Sequence, residues 1–125
     1  MKISSITLTQ LSMPLVAPFE TSFGREIERE CILITLRAEG ITAYGECVAD
    51  RDPGYCYETS GTAWHILKDF IAPLILGQDL DDAQDYQVRV SGIRGHQLAK
   101  AGVEMALWDL LGKRDGKPLR QLLGG

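Results

Sequence analysis

The dipeptide Glu39-Gly40 stands between two alternating runs, Glu30 to Ala38 and Ile41 to Val48, and it constrains this chain more than any other feature. A two-residue hairpin loop at that point sets position 38 opposite 41, and therefore 32 opposite 47 and 31 opposite 48. Ile32, Ile34, Leu36 and Ala38 then share one face of a sheet, while Cys31, Leu33, Thr35 and Arg37 share the other. The same register turns Cys31 and Cys47 to opposite faces, so they are not expected to pair. With three cysteines the count is odd, and their spacing offers no zinc site. All three are read as reduced thiols.

Upstream, residues 2–15 alternate weakly through Ile6, Leu8, Leu11, Met13 and Leu15. Their phase slips by one between Leu8 and Leu11, which suggests a first strand with a bulge at that point. The expected sheet is a three-stranded antiparallel meander with a long loop, residues 16–28, between its first two strands. After a second loop, residues 49–57, the period changes. Ala63, Ile66, Leu67, Phe70 and Ile71 fall on one helical face, and that helix should stop near Pro73. Asp79 to Asp82 suit the N-terminus of a shorter helix rather than a calcium loop. Residues 95–115 read as the longest helix, closed by Gly116 and followed by Pro118. Strands followed by helices make the fold class α+β.

At 125 residues, the chain suffices for one domain with a core. Its 13 basic and 17 acidic residues leave a net charge of −4 and no basic block, so nucleic acid is not an expected partner. No run reaches membrane-spanning length, and Met1 to Ser5 do not open a signal peptide, which makes a cytoplasmic location the expectation. The last helix is unusual. Gln97, Lys100 and Glu104 form a polar stripe that, continued, would reach Trp108 and Leu111, so its second half should be covered by a neighbour outside this chain.

Catalytic constellations are absent from the pattern. His65 and His96 belong to no metal-spaced cluster, and His65 inside "WHIL" reads as a packing residue. Asp50 and Asp52 flank Arg51 in a Pro-Gly turn, as a solvated ion pair would. What stands out is "APFETSFG" at positions 17–24, a loop-like stretch holding two of the chain's three phenylalanines. Two aromatic rings on a loop call for something to cover them. Residues 16–28 and 49–57 leave the same meander and could reach one partner surface.

The last third carries Ala106-Leu107-Trp108-Asp109-Leu110, Gly112-Lys113, Gly116, Pro118, Leu122-Leu123-Gly124-Gly125 and, more loosely, Ala101. It resembles the motif that closes the N-terminal capping domain of the enolase superfamily, in its muconate-lactonising and mandelate-racemase branches. "YGEC" at Tyr44 to Cys47 resembles that family's third strand. "PFETSFG" with Arg29-Glu30, "ECVADRDPGY" and "TAWHILKDFIAPLILG" resembles o-succinylbenzoate synthases and N-succinylamino acid racemases. The resemblance implies one enolase-like capping domain over residues 1–125, with residues 16–28 and 49–57 as lids on a (β/α) barrel absent from this chain. It implies substrate-binding roles for Phe19, Thr21, Ser22, Phe23, Asp50 and Tyr55. Such enzymes abstract a proton alpha to a carboxylate and stabilise the enediolate with Mg²⁺. Their lysines and metal ligands lie on the barrel, so no catalytic or metal residue is carried onto this chain. The implied partners are the C-terminal barrel of the same polypeptide, a small carboxylate substrate and, for the full-length enzyme, further copies of itself as a homo-oligomer. The cap of a dipeptide epimerase, a muconate cycloisomerase or a mandelate-racemase-like enzyme, and a non-catalytic binding module, remain open alternatives.

Overall fold

A computed structural model describes residues 1–22 and 24–125. Three strands, β1 (Ser5–Thr21), β2 (Gly24–Ala38) and β3 (Ile41–Cys47), form one antiparallel sheet in the order β1-β2-β3. Glu39 and Gly40 both take positive φ, 50° and 79°, as a two-residue turn matched to strand twist requires. The expected register follows: Ala38 pairs with Ile41 and Ile32 with Cys47. Cys31, Cys47 and Cys56 are all free thiols.

Two expectations for the first strand fail together. Ile6 to Pro14 pair with Leu36 to Glu28 without interruption, so no bulge separates Leu8 from Leu11. The register shifts instead between Pro14 and Phe19. Nor are residues 16–28 an open loop, because β1 continues to Thr21 and β2 begins at Gly24. The two strands form a hairpin arm that runs past the core.

Helices cover one face of the sheet. After α1 (Ser60–Ile66), a π-helical turn (Leu67–Ile71) leads directly into α2 (Ala72–Ile75). The helix was expected to stop near Pro73, and it stops two residues later, at Ile75. Proline lacks an N–H and its ring crowds the carbonyl of the preceding turn, and here it sits in the short last stretch that follows the π turn. Widening the turn also changes the buried face. Ala63, Leu67, Ile71 and Ile75 lie inside at intervals of four, whereas Phe70, expected with them, is exposed. His65 is exposed too, and pairs with Asp69 at 2.9 Å instead of packing in the core.

Asp82 caps α3 (Ala83–Val90) by accepting the Asp85 N–H at 2.9 Å, as the acidic run suggested. Helix α4 (Gln97–Asp115) ends at Gly116 and is followed by the short α5 (Leu119–Leu122). The side chain of its N-cap residue, His96, makes no capping bond. Glu58 does that work from another segment: its carboxylate is buried and accepts Leu98 N–H at 2.9 Å and Ala99 N–H at 3.2 Å. A carboxylate on the positive end of a helix satisfies orphan donors and the dipole at once.

Small residues let α4 lie almost on the sheet. A Cβ at Gly45 would stand 2.1 Å from the Gly102 carbonyl oxygen and 2.6 Å from the Ala106 nitrogen. Farther along, Asp109 and Lys113 grip the free edge of β3. Asp109 accepts the Tyr44 N–H at 2.9 Å, and Lys113 donates to the Thr42 carbonyl at 2.9 Å. Those backbone groups face away from β2 and would otherwise be open to another strand. Leu111, expected on an uncovered side, is buried at 4% exposure, so the unpartnered apolar surface lies elsewhere on this helix.

Gly45→Ala should destabilise the domain by roughly 1–3 kcal/mol or more, because the obstructing atoms are backbone and cannot swing aside. A denaturant melt reads it directly. A second expectation concerns alkali. The Tyr86 hydroxyl donates to the Lys100 carbonyl at 2.8 Å, and burial, with the Glu104 charge second, pushes the phenol well above its ordinary value of 10.0. The folded state thus holds that proton more tightly than the unfolded chain. Its contribution is complete below pH 10 and is lost as pH climbs above it. Tyr86→Phe should cost about 1 kcal/mol at neutral pH. It should also flatten the loss of stability above pH 10, measured as the shift of the denaturant midpoint with pH.

Candidate functional site

Where the helices end, the face of the sheet that bears the core becomes polar. Beyond Ile32 the next residues of β2 on that face are Glu30 and Glu28, and Gln10 and Ser12 lie on the same side of β1. Gln10 and Ser60 both donate to the Glu30 carboxylate, Ser60 at 2.9 Å, and Ser12 donates to Glu28 at 3.3 Å. The slip in apolar phase after Leu8 therefore marks where the core gives way to a cleft. Leu11 and Met13 stay in register and turn to the opposite face, opposite Cys31 and Arg29.

The bulge then changes which residues look into that cleft. Four residues, Leu15 to Pro18, stand opposite the single Ile27, and pairing resumes with Phe19 opposite Glu26 and Thr21 opposite Gly24. Three extra residues are an odd number, so the faces exchange. Even-numbered side chains of β1 look toward the helices before the bulge, and odd-numbered ones after it. Phe19 and Thr21 come to line the cleft in this way.

Residues 48–57 form the other wall. Their far end is rooted at α4, where the Tyr57 hydroxyl accepts the His96 N–H at 2.7 Å beside the buried Glu58. Their near end is rooted at α1, where the Asp50 carbonyl accepts the Ser60 N–H at 2.7 Å. Arg29 reaches across from β2, pairing with the Asp50 carboxylate and donating to the Val48 carbonyl at 2.6 Å. Arg51 lies 3.9 Å from Asp52, so Asp50 takes Arg29 rather than Arg51 as its partner. Together the two walls enclose a cleft of ≈ 580 Å³.

Of the six residues expected to bind substrate, Phe19, Thr21, Asp50 and Tyr55 line this cleft. Ser22 is exposed at the tip of the arm and does not line it. Phe23 lies outside the described residues. Phe19 and Tyr55 are 60% and 83% exposed, so apolar ring surface is presented outward on both walls. Sequence reasoning passed over Ser12, Glu28 and Arg29 as cleft residues. The signal for the first two was the change of apolar phase, which placed polar residues on what had been the core face.

Neither of the two buried thiols is primed for nucleophilic attack. Burial pushes both the Cys31 and Cys47 thiols above their ordinary value, with Glu46 adding to the shift at Cys31. Among the described residues, no group of three or more His, Cys, Asp or Glu side chains is placed to hold a metal ion. These residues do not fit a Mg²⁺ site, and no chemical step through the metal follows from them. Nor is any helix among them long and apolar enough to cross a membrane. A separate groove of ≈ 480 Å³ lies along α4 and the segment after it, lined by Met105, Trp108 and Leu119 among others. Met105 and Leu119 are 47% and 52% exposed.

Residues 3–124 match the family described as mandelate racemase / muconate lactonizing enzyme, N-terminal domain. The o-succinylbenzoate synthase of Geobacillus stearothermophilus is 44% identical over 124 residues, which are 98% of this chain and 33% of that protein. The N-succinylamino acid racemase of Thermus thermophilus is 40% identical over 125 residues, 100% of this chain and 34% of the racemase. Among solved structures, the muconate lactonizing enzyme of Pseudomonas fluorescens superposes with a TM-score of 0.94 at 34% identity, over 99% of this chain and 34% of that one. The chain spans about a third of the length of the curated relatives it matches. The resemblance carried by the "ALWDL" and "LLGG" motifs is borne out, and with it the α+β meander-and-helices fold. The chain belongs to the N-terminal domain family of the mandelate racemases and muconate lactonizing enzymes, within the enolase superfamily.

Proposed function

We propose that this chain is the capping and substrate-specificity domain of a Mg²⁺-dependent enzyme, an o-succinylbenzoate synthase, an N-acylamino acid racemase, or one enzyme with both activities. The cleft between the arm and residues 48–57 is the observation that carries this reading. It sets an exposed aromatic ring on each wall, Phe19 and Tyr55, above a polar floor with charged groups. Such a cleft suits a carboxylate substrate with an apolar body, and closing it on a barrel would exclude water from the reacting carbon. The chain's own part is to cover, orient and select. Proton transfer and metal binding are assigned to the barrel of the same polypeptide, with Met105, Trp108 and Leu119 as the apolar surface that meets it. Names of relatives support the synthase and racemase activities over those of an epimerase or a lactonizing enzyme: similar proteins from Geobacillus, Bacillus and Thermus carry the first two.

If this division of labour holds, the 125-residue chain alone should show no Mg²⁺-dependent dehydration or racemisation, whereas a polypeptide that includes the barrel should show both the turnover and its loss on chelation. Turnover by the purified 125-residue chain would overturn the assignment. The second expectation concerns Phe19. In the full-length enzyme Phe19→Ala should lower kcat/KM by the equivalent of roughly 1–3 kcal/mol for large acyl groups and less for small ones. A denaturant melt should barely move, since the ring is exposed and lies beyond the core. Stability that collapses while substrate preference stays flat would make Phe19 a packing residue.

A further inference from the structure

Strand β3 ends at Cys47, and its partner β2 extends well beyond the pairing of Ile32 with Cys47. Had the ladder continued in the same register, Arg29 would stand opposite Asp50. No backbone pairing joins the strands there. The Arg29 side chain makes the link instead, with one guanidinium nitrogen on the Asp50 carboxylate and the other 2.6 Å from the Val48 carbonyl oxygen. Asp50 is fixed again on its far side, through its carbonyl, by Ser60 N–H at 2.7 Å. Beyond these contacts the tip of the segment, Arg51 to Tyr55, is exposed.

We infer that Arg29 is a positioning residue, a latch that sets the spacing between the hairpin arm and residues 48–57 and so the width of the substrate cleft. This rests on the capping role proposed above. The link needs a planar fork, because one donor must reach a carboxylate and a second a backbone carbonyl two residues away. Lysine has the charge but not the fork. The latch also gives Asp50 a role that does not require touching substrate, since its carboxylate is held by Arg29.

The test uses the full-length polypeptide and compares Arg29→Gln, Arg29→Lys and the exchanged pair Arg29→Asp with Asp50→Arg. Amide hydrogen exchange over residues 48–57 should quicken about tenfold in Arg29→Gln, nearly as much in Arg29→Lys, and recover in part in the exchanged pair, with α4 unchanged. KM for N-succinylamino acids should rise about tenfold in Arg29→Gln while kcat stays within about twofold, as loss of preset geometry rather than of chemistry predicts. Unchanged exchange in Arg29→Gln overturns the latch. So does faster exchange with unaltered KM, or faster exchange that includes α4, which would report general destabilisation. Absence of turnover in the unsubstituted enzyme would instead defeat the capping reading, and the exchange measurement would still decide the latch.

Discussion

The approach of α4 to β3 is the constraint on which the rest of this domain depends. Gly45 lies against the Gly102 carbonyl and the Ala106 nitrogen, and Gly102 against Ile34 and Cys47, with no space for a side chain at either, so the height of the helix over the sheet is set by close contact. Once α4 is set at that height, Ala99, Val103, Ala106, Leu107 and Leu110 fill the core beneath it, and Asp109 with Lys113 can reach the edge of β3. The Asp-Leu-Leu-Gly-Lys stretch is thus explained by edge protection and close packing, without any chemical role.

The same helix positions the cleft. Its N-terminus is capped by Glu58 and docked on Tyr57, two residues that end the segment forming one cleft wall. That wall is tied at one end to α4 and at the other to Arg29 and Ser60. The arm across from it is built differently: two strands with no helix above them, held by their own ladder and by contacts such as Ser12 with Glu28. The two walls are therefore held by different means, and Arg29 of β2 joins them through Asp50 and Val48.

How much of this was legible varied with the range of the forces involved. The Glu39-Gly40 turn fixed register locally, and its consequence for Cys31 and Cys47 followed by counting. The long helix and its Gly116 end were legible for the same reason. Pro73 marked the end of its helix to within two residues, whereas the π turn before it, which moved Phe70 out of the buried face, is set by no local rule. Leu111 misled because a stripe extrapolated along a helix ignores what packs against its far end. The apolar slip after Leu8 was a real signal with the wrong cause assigned: it recorded a change in what lies above the sheet, from helices to open cleft. The family resemblance pointed to Phe19, Thr21, Asp50 and Tyr55, which line the cleft, whereas Ser12 and Glu28 needed the register, and Arg29 needed the path of residues 48–50.

The bulge at residues 15–18 behaves like a reading frame. Because side chains on a strand alternate, what the arm shows to the cleft depends on which residues of β1 pair with Glu26 and Gly24 beyond the bulge. Adding one residue to that stretch, with the bulge kept at its present size, would leave the core ladder below Pro14 untouched, yet present Glu20 and Pro18 where Thr21 and Phe19 now stand. Such a slide by one exchanges what the end of the arm shows to the cleft, a proline for an aromatic ring and an acidic side chain for a threonine. Length at this position thus selects which side chains meet the cleft without altering the ladder that holds the core.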